Sequence, residues 1–156
     1  MLFTKQAFSM LELVFVIVVI GILSAIAIPK FAATRTDAQI AKARSDISSI
    51  RSAILSERQT RLIKGDSNYI NQLHSAVSSY FDNNGTAANS LLMYAVTPKN
   101  VNGHWKTGAS CIGNVGSKVC TYTYQITDED IVFTYTQTNG TFDCDHTKTM
   151  CQNLTE

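Results

Sequence analysis

Four cysteines, Cys111, Cys120, Cys144 and Cys151, stand late in the chain, and the second pair lies in the stretch Asp143-Cys-Asp-His-Thr-Lys-Thr-Met-Cys151. Thiols, carboxylates and an imidazole together could bind a metal or form disulfides. The spacings Cys-x6-Cys and Cys-x8-Cys lack the short pairs that mark zinc sites. An even, clustered count behind an export-type N-terminus favours disulfides in an oxidising compartment. Three connectivities are open. Local pairing, Cys111 with Cys120 and Cys144 with Cys151, is preferred because each bond closes a short loop. Asp128, Glu129 and Asp130, or Asp143 and Asp145, could ligate calcium, but a solvated turn accounts for them more simply. His74, His104 and His146 have no nucleophile or carboxylate pair at a telling spacing. Neither a phosphate-binding loop, a Gly-x-Ser-x-Gly nor a His-Glu-x-x-His is present. The residues point to no enzyme, and no resident metal or cofactor is expected.

One carboxylate stands out by its surroundings. Glu12 lies in a run from Phe8 to Ile28 that is otherwise almost wholly apolar. Those 21 residues, at 1.5 Å each, make a helix about 31 Å long, the thickness of a hydrocarbon core. An ionised group inside such a span costs a few kcal/mol and is a functional candidate by default. The plain alternative is a carboxylate near the interface that reaches water.

The elements that must position these residues follow from the pattern. The run passes through Gly21 and ends at Pro29-Lys30. Beyond it, Ile40, Ala43, Ile47, Ile50, Ile54 and Leu62 recur every three or four residues, one helical stripe. Lys42 with Asp46 and Glu57 with Arg61 form i,i+4 pairs on the wet side. Neither Gly nor Pro interrupts 31–64, so one helix is expected from about Phe8 to Lys64. Gly65-Asp66 ends it. Tyr69, Ile70, Leu73, Val77, Tyr80 and Phe81 again repeat at helical spacing, predicting a second helix over 68–81. Ser90 to Val96 reads as a turn of helix or a strand. Alternation over 120–126 and 131–135, around the polar turn 127–130, predicts a β-hairpin, with a third strand near His104-Trp105.

Charge divides along the same line. Between Lys30 and Lys64, eight basic residues face three acids, a net of +5; from Gly65 onward four lysines face eight acids, a net of −4. An acidic head repels phosphates, so nucleic acid is not an expected partner.

The stretch from Ala7 to Pro29 resembles the N-terminal motif of the type IV pilin and pseudopilin family. The motif is a short leader, Phe8, a hydroxyl residue (Ser9), the pair Leu11-Glu12, a long apolar helix and a proline. Ala7 stands where the family usually has Gly, and the leader, residues 1–7, carries only Lys5 as a charge. The resemblance implies that a prepilin peptidase cuts between Ala7 and Phe8 and methylates the new amino terminus. It implies that Glu12 meets the positive N-terminus of a neighbouring copy, and that Gly21 and Pro29 loosen or kink the helix. A bridge between Cys144 and Cys151 would resemble the C-terminal loop of many pilins. The calcium-loop pattern of some pseudopilins is not recognisable.

The expected fold is α+β: leader 1–7, transmembrane helix 8–29, amphipathic stem helix 30–64, and a head 65–156 with a small antiparallel sheet packed on the stem. The expected function is a filament subunit, of the pseudopilin kind serving type II secretion or DNA uptake, with a major or minor pilin of a surface fibre as the alternative. Its partners would be its own copies, other pilin-like subunits, the peptidase and an inner-membrane assembly platform. The anchor would cross the bacterial inner membrane with its N-terminus cytoplasmic and the head in the periplasm. A single-span anchor carrying a periplasmic redox or metal-binding domain is the reading from another class. It leaves Glu12 and the Phe8 context unexplained.

Overall fold

The computed structural model describes residues 8–76, 79–82 and 91–155, without the side chains of 32, 33, 76 and 79. The chain divides into two compact units, Met1–Asp37 and Ala38–Glu156. Helix α1, Met10–Ile63, begins in the first and ends in the second.

Both ends of α1 are set by side chains the sequence puts there. Ser9 precedes the first turn and its Oγ accepts the Glu12 amide at 3.2 Å, the N-cap bond that satisfies an orphan donor. At the far end Gly65 adopts φ 84°, the Gly65 amide donates to Leu62 O and the Asp66 amide to Arg61 O. That pair of bonds is the Schellman closure, which needs a residue free to take positive φ.

In the second unit, α1 packs against an antiparallel sheet. Ala43, Ile47, Ile50 and Ile54 are buried, at steps of four, three and four. The stripe ends there, because Leu62 is half exposed, and Arg58 instead lies over the Tyr69 ring at 4.3 Å. The Glu57–Arg61 pair forms, at 3.1 Å. Lys42 does not bond Asp46: its Nζ donates to Gly103 O at 3.0 Å, while Asp46 accepts the Trp105 indole N–H at 3.3 Å.

The sheet is built from β3 (His104–Trp105), β4 (Ser110–Ile112), β5 (Val119–Ile126), β6 (Glu129–Thr136) and β7 (Thr141–Cys144). β5 pairs with β3 and β4 along one edge and with β6 along the other, and β6 pairs with β7. The alternation read from the sequence is the burial pattern. Cys120, Tyr122, Tyr124 and Ile126, with Ile131, Phe133 and Tyr135, all face the core. Trp105, Phe133 and Phe142 pack ring against ring beside them. The hairpin turn is tighter than the four polar residues suggested. Only Thr127 and Asp128 lie between the strands, at φ 48° and 62°. Such values disfavour a β-branched residue, and they suit the twist of a two-residue hairpin. Asn102 braces the turn: its Oδ1 accepts the Asp128 amide and its Nδ2 donates to Asp128 Oδ1, both at 3.0 Å.

The second helix expected over 68–81 is not there. The described part holds two short strands, β1 (His74–Ala76) and β2 (Ser79–Tyr80), in a loop that dips into the core. Ile70, Leu73, Tyr80 and Phe81 are buried, which explains the apolar spacing. The backbone is satisfied by tertiary partners instead of a helical ladder: the Leu73 amide donates to Tyr122 Oη and the Phe81 amide to Leu73 O. Phe81 sits at φ 59°, which no helix accommodates. Ser90 lies outside the described residues, and 91–96 is neither helix nor strand, with an isolated bridge from Val96 to Tyr80. Helix α2, Thr149–Thr155, closes the chain's fold through buried Cys151 and Leu154.

Candidate functional site

The candidate site is the apolar first part of α1. From Met10 to Ile28 its large apolar side chains are exposed among the described residues, Leu11 at 84% and Phe15 at 69%. The segment is long and apolar enough to cross a membrane. A helix hydrophobic all round needs either lipid or other protein around it.

Within this segment Phe8 is exposed and precedes the helix, and Ala7 with the rest of the leader lies outside the described residues. Glu12 sits in the first turn with its side chain exposed. Ser9 and Glu12 have the capping-box spacing, a feature visible in the sequence itself. An acid in the first turn also suits the positive end of the helix dipole, for about 0.3–1 kcal/mol. Burying an unpaired carboxylate at depth in a bilayer costs about 2.5–3.5 kcal/mol. Capping therefore does not balance the cost wherever the residue lies deep, and an opposite charge is required. A unit charge 4 Å away contributes about 4 kcal/mol at an effective dielectric constant near 20.

Gly21 and Pro29 both lie inside α1, which continues through them. Among the described residues open space surrounds Gly21, so no packing there demands a glycine. Pro29 has no N–H, which leaves the carbonyl of Ala25 without its usual helical donor.

The cysteines form two bridges, Cys111–Cys120 across directly paired positions of β4 and β5, and Cys144–Cys151 from β7 to α2. The acids around the second bridge are used by the fold. Asp143 Oδ1 accepts Arg51 at 2.8 Å and meets His146 at 3.1 Å; Asp145 accepts the Thr147 amide and hydroxyl. The bonds from Thr147 hold the Asp145 carboxyl below its ordinary range. Asp130 pairs with Lys106 and Asp128 with Asn102. Among the described residues no three of His, Cys, Asp and Glu converge in a metal-binding arrangement. His74 and His104 are far from such a role: His74 Nδ1 contacts Tyr122 Oη at 2.8 Å, and His104 lies on the short edge strand β3.

No protein-family model, no curated protein and no solved structure matches the chain.

Proposed function

We propose that this chain is a structural subunit of a type IV pilus-like filament, of the pseudopilin kind that serves type II secretion or DNA uptake, and that it performs no catalysis. The observation that carries the reading is Glu12: a single carboxylate at the start of an otherwise apolar helical segment whose large side chains are exposed among the described residues, four residues from Phe8. Cleavage by a prepilin peptidase before Phe8 would create a positive amino terminus at the same depth. One copy's amino terminus then neutralises another copy's Glu12, and pairing removes the cost of holding either charge alone. The exposed apolar surface around it packs on neighbouring copies once they leave the bilayer. Before assembly the segment anchors the chain in the bacterial inner membrane, with Lys5 cytoplasmic and the disulfide-bonded unit in the periplasm, where an assembly platform receives it.

The test uses Glu12→Leu and Glu12→Asp in cells that assemble the wild type. Glu12→Leu should insert and accumulate in the membrane at least as well as wild type, since the buried carboxylate is gone. It should enter sheared or cross-linked filaments at least tenfold less well. Glu12→Asp should fall between, because it keeps the charge and loses one methylene of reach. Wild-type filament yield from Glu12→Leu would defeat the assembly role and leave capping of α1 as the residue's function.

A further inference from the structure

The turn between β6 and β7, residues 137–140, is held firmly from one side. Gln137 is buried; its Oε1 accepts the amides of Gly116 and Lys118, and its Nε2 donates to Tyr69 O. The Gly140 amide donates to Thr136 O at 2.9 Å, and Tyr69 lies against Gly140. On this base Asn139 is exposed. Its Oδ1 accepts the Thr141 amide at 3.1 Å and the Thr141 hydroxyl at 2.8 Å. Among the described residues its Nδ2 has no hydrogen-bond partner.

Asn139-Gly-Thr141 is an Asn-x-Thr acceptor pattern, which marks N-glycosylation in exported proteins. The pattern occurs three times in the chain, so geometry must discriminate. Asn84-Gly-Thr86 lies outside the described residues. Asn153-Leu-Thr155 lies in α2, where residues two apart do not face each other, and the Thr155 hydroxyl donates to Cys151 O instead. Among the described residues, the two side chains of the pattern meet only at Asn139 and Thr141. An amide nitrogen must give up a proton to form a new bond, and charge then gathers on its oxygen. Two donors already aimed at Oδ1 stabilise that charge. A cavity of about 430 Å³ opens beside the turn, lined by Asn139 and Thr141 together with Arg51, Leu55, Asp143 and His146. Leu55 is an exposed apolar face for a sugar ring, and the hydrogen-bonded row Arg51–Asp143–His146 offers donors and acceptors to its hydroxyls.

We propose that Asn139 is an N-glycosylation acceptor whose first sugar lies over this cavity. The donor is a sugar carried on a polyprenyl diphosphate. The bond from Asn139 Nδ2 to the sugar C1 forms, the C1–O bond to the diphosphate breaks, the Nδ2 proton passes to a base of the transferase, and the lipid diphosphate leaves. The step rests on the export of this unit, which its two disulfides favour, and it does not require that copies assemble.

Full-length protein isolated from its own cells is digested, and the peptide carrying Asn139 is weighed and fragmented. It should be heavier by at least one sugar, with the added mass on Asn139. Asn139→Gln and Thr141→Ala should lose the sugar, Thr141→Ser should keep it because the hydroxyl remains, and Asn153→Gln should leave it unchanged. All three positions are exposed, so Trp105 fluorescence should stay native in every variant. Carbethoxylation of the exposed His146 should be at least threefold slower in the wild type than in Asn139→Gln, because the sugar covers it; equal rates would overturn the seating over the cavity. An unmodified Asn139 peptide, or a sugar found on Asn153 or on a threonine hydroxyl instead, overturns the inference and leaves the filament reading standing. A sugar on Asn139 in a chain that forms no filament keeps the inference and removes the filament.

Discussion

Replacing Ile50 with alanine tests whether the second half of α1 is held by the sheet. Ile50 has no exposed surface and lies between Ile47 and Ile54 on the buried stripe, whereas Leu55, on the same helix, is 58% exposed. Ile50→Ala removes three carbons, about 2.4 kcal/mol of transfer free energy at about 0.8 kcal/mol per methylene. The unfilled cavity adds to this, and buried Ile→Ala changes span about 2–5 kcal/mol. Alanine's better helix propensity returns a few tenths. The expected loss is about 3 kcal/mol for Ile50→Ala and under about 1 kcal/mol for Leu55→Ala. Trp105 is the single tryptophan, fully buried, with its indole N–H on Asp46 of α1. Its fluorescence during urea unfolding of the detergent-solubilised full chain reports this unit alone. Equal losses for the two variants, or a loss below about 1 kcal/mol for Ile50→Ala, would refute the packing assigned to α1.

Exchanging Cys144 and Cys151 together for serine should cost about 2.5 kcal/mol, the chain entropy released by opening a loop of this size, and the Cys111/Cys120 exchange should cost a similar amount; urea midpoints measure both. Non-reducing peptide mapping of the wild type should find only the two local bridges and no free thiol. His74 is pushed below its ordinary value of 6.5 by burial, with Lys118 adding to the shift and Asp82 opposing it. The unfolded chain therefore binds this proton more readily. The stability linked to His74 is present above pH 6.5 and is lost as the pH falls below it. His74→Gln should flatten the dependence of the urea midpoint on pH in that range; an unchanged slope would show that His74 does not carry it.

The sequence disclosed the parts of the fold in which one periodicity governs one element. Tyr122, Tyr124 and Ile126 opposite Ile131, Phe133 and Tyr135 alternate because one sheet face is buried and the other is wet. The Ile47–Ile50–Ile54 stripe shows its spacing because one side of α1 meets that sheet. The segment after Asn68 misled because apolar residues three or four apart also suit an irregular loop anchored at several points; only tertiary donors such as Tyr122 Oη tell the two apart. β7 carried a readable signal in Asn139-Gly140, a turn pair between β6 and Thr141–Cys144, which the chemistry of the neighbouring cysteines obscured. Gly140, at φ 70°, also lies against Tyr69, so a side chain there would collide with the ring. Strand β4 is three residues long and too short for any periodicity. At the candidate site, Glu12 was legible as an anomaly of composition. Its capping by Ser9 was equally legible, and it supplies the competing local role that the Glu12 variants separate.

The central claim, that the chain is processed for assembly through the segment beginning at Phe8, meets its most direct test in the mass of the N-terminal peptide from protein isolated from its own membranes. The account predicts a peptide starting at Phe8 and heavier by one methyl group. A peptide starting at intact Met1, or at an unmodified residue elsewhere in the apolar run, would contradict it.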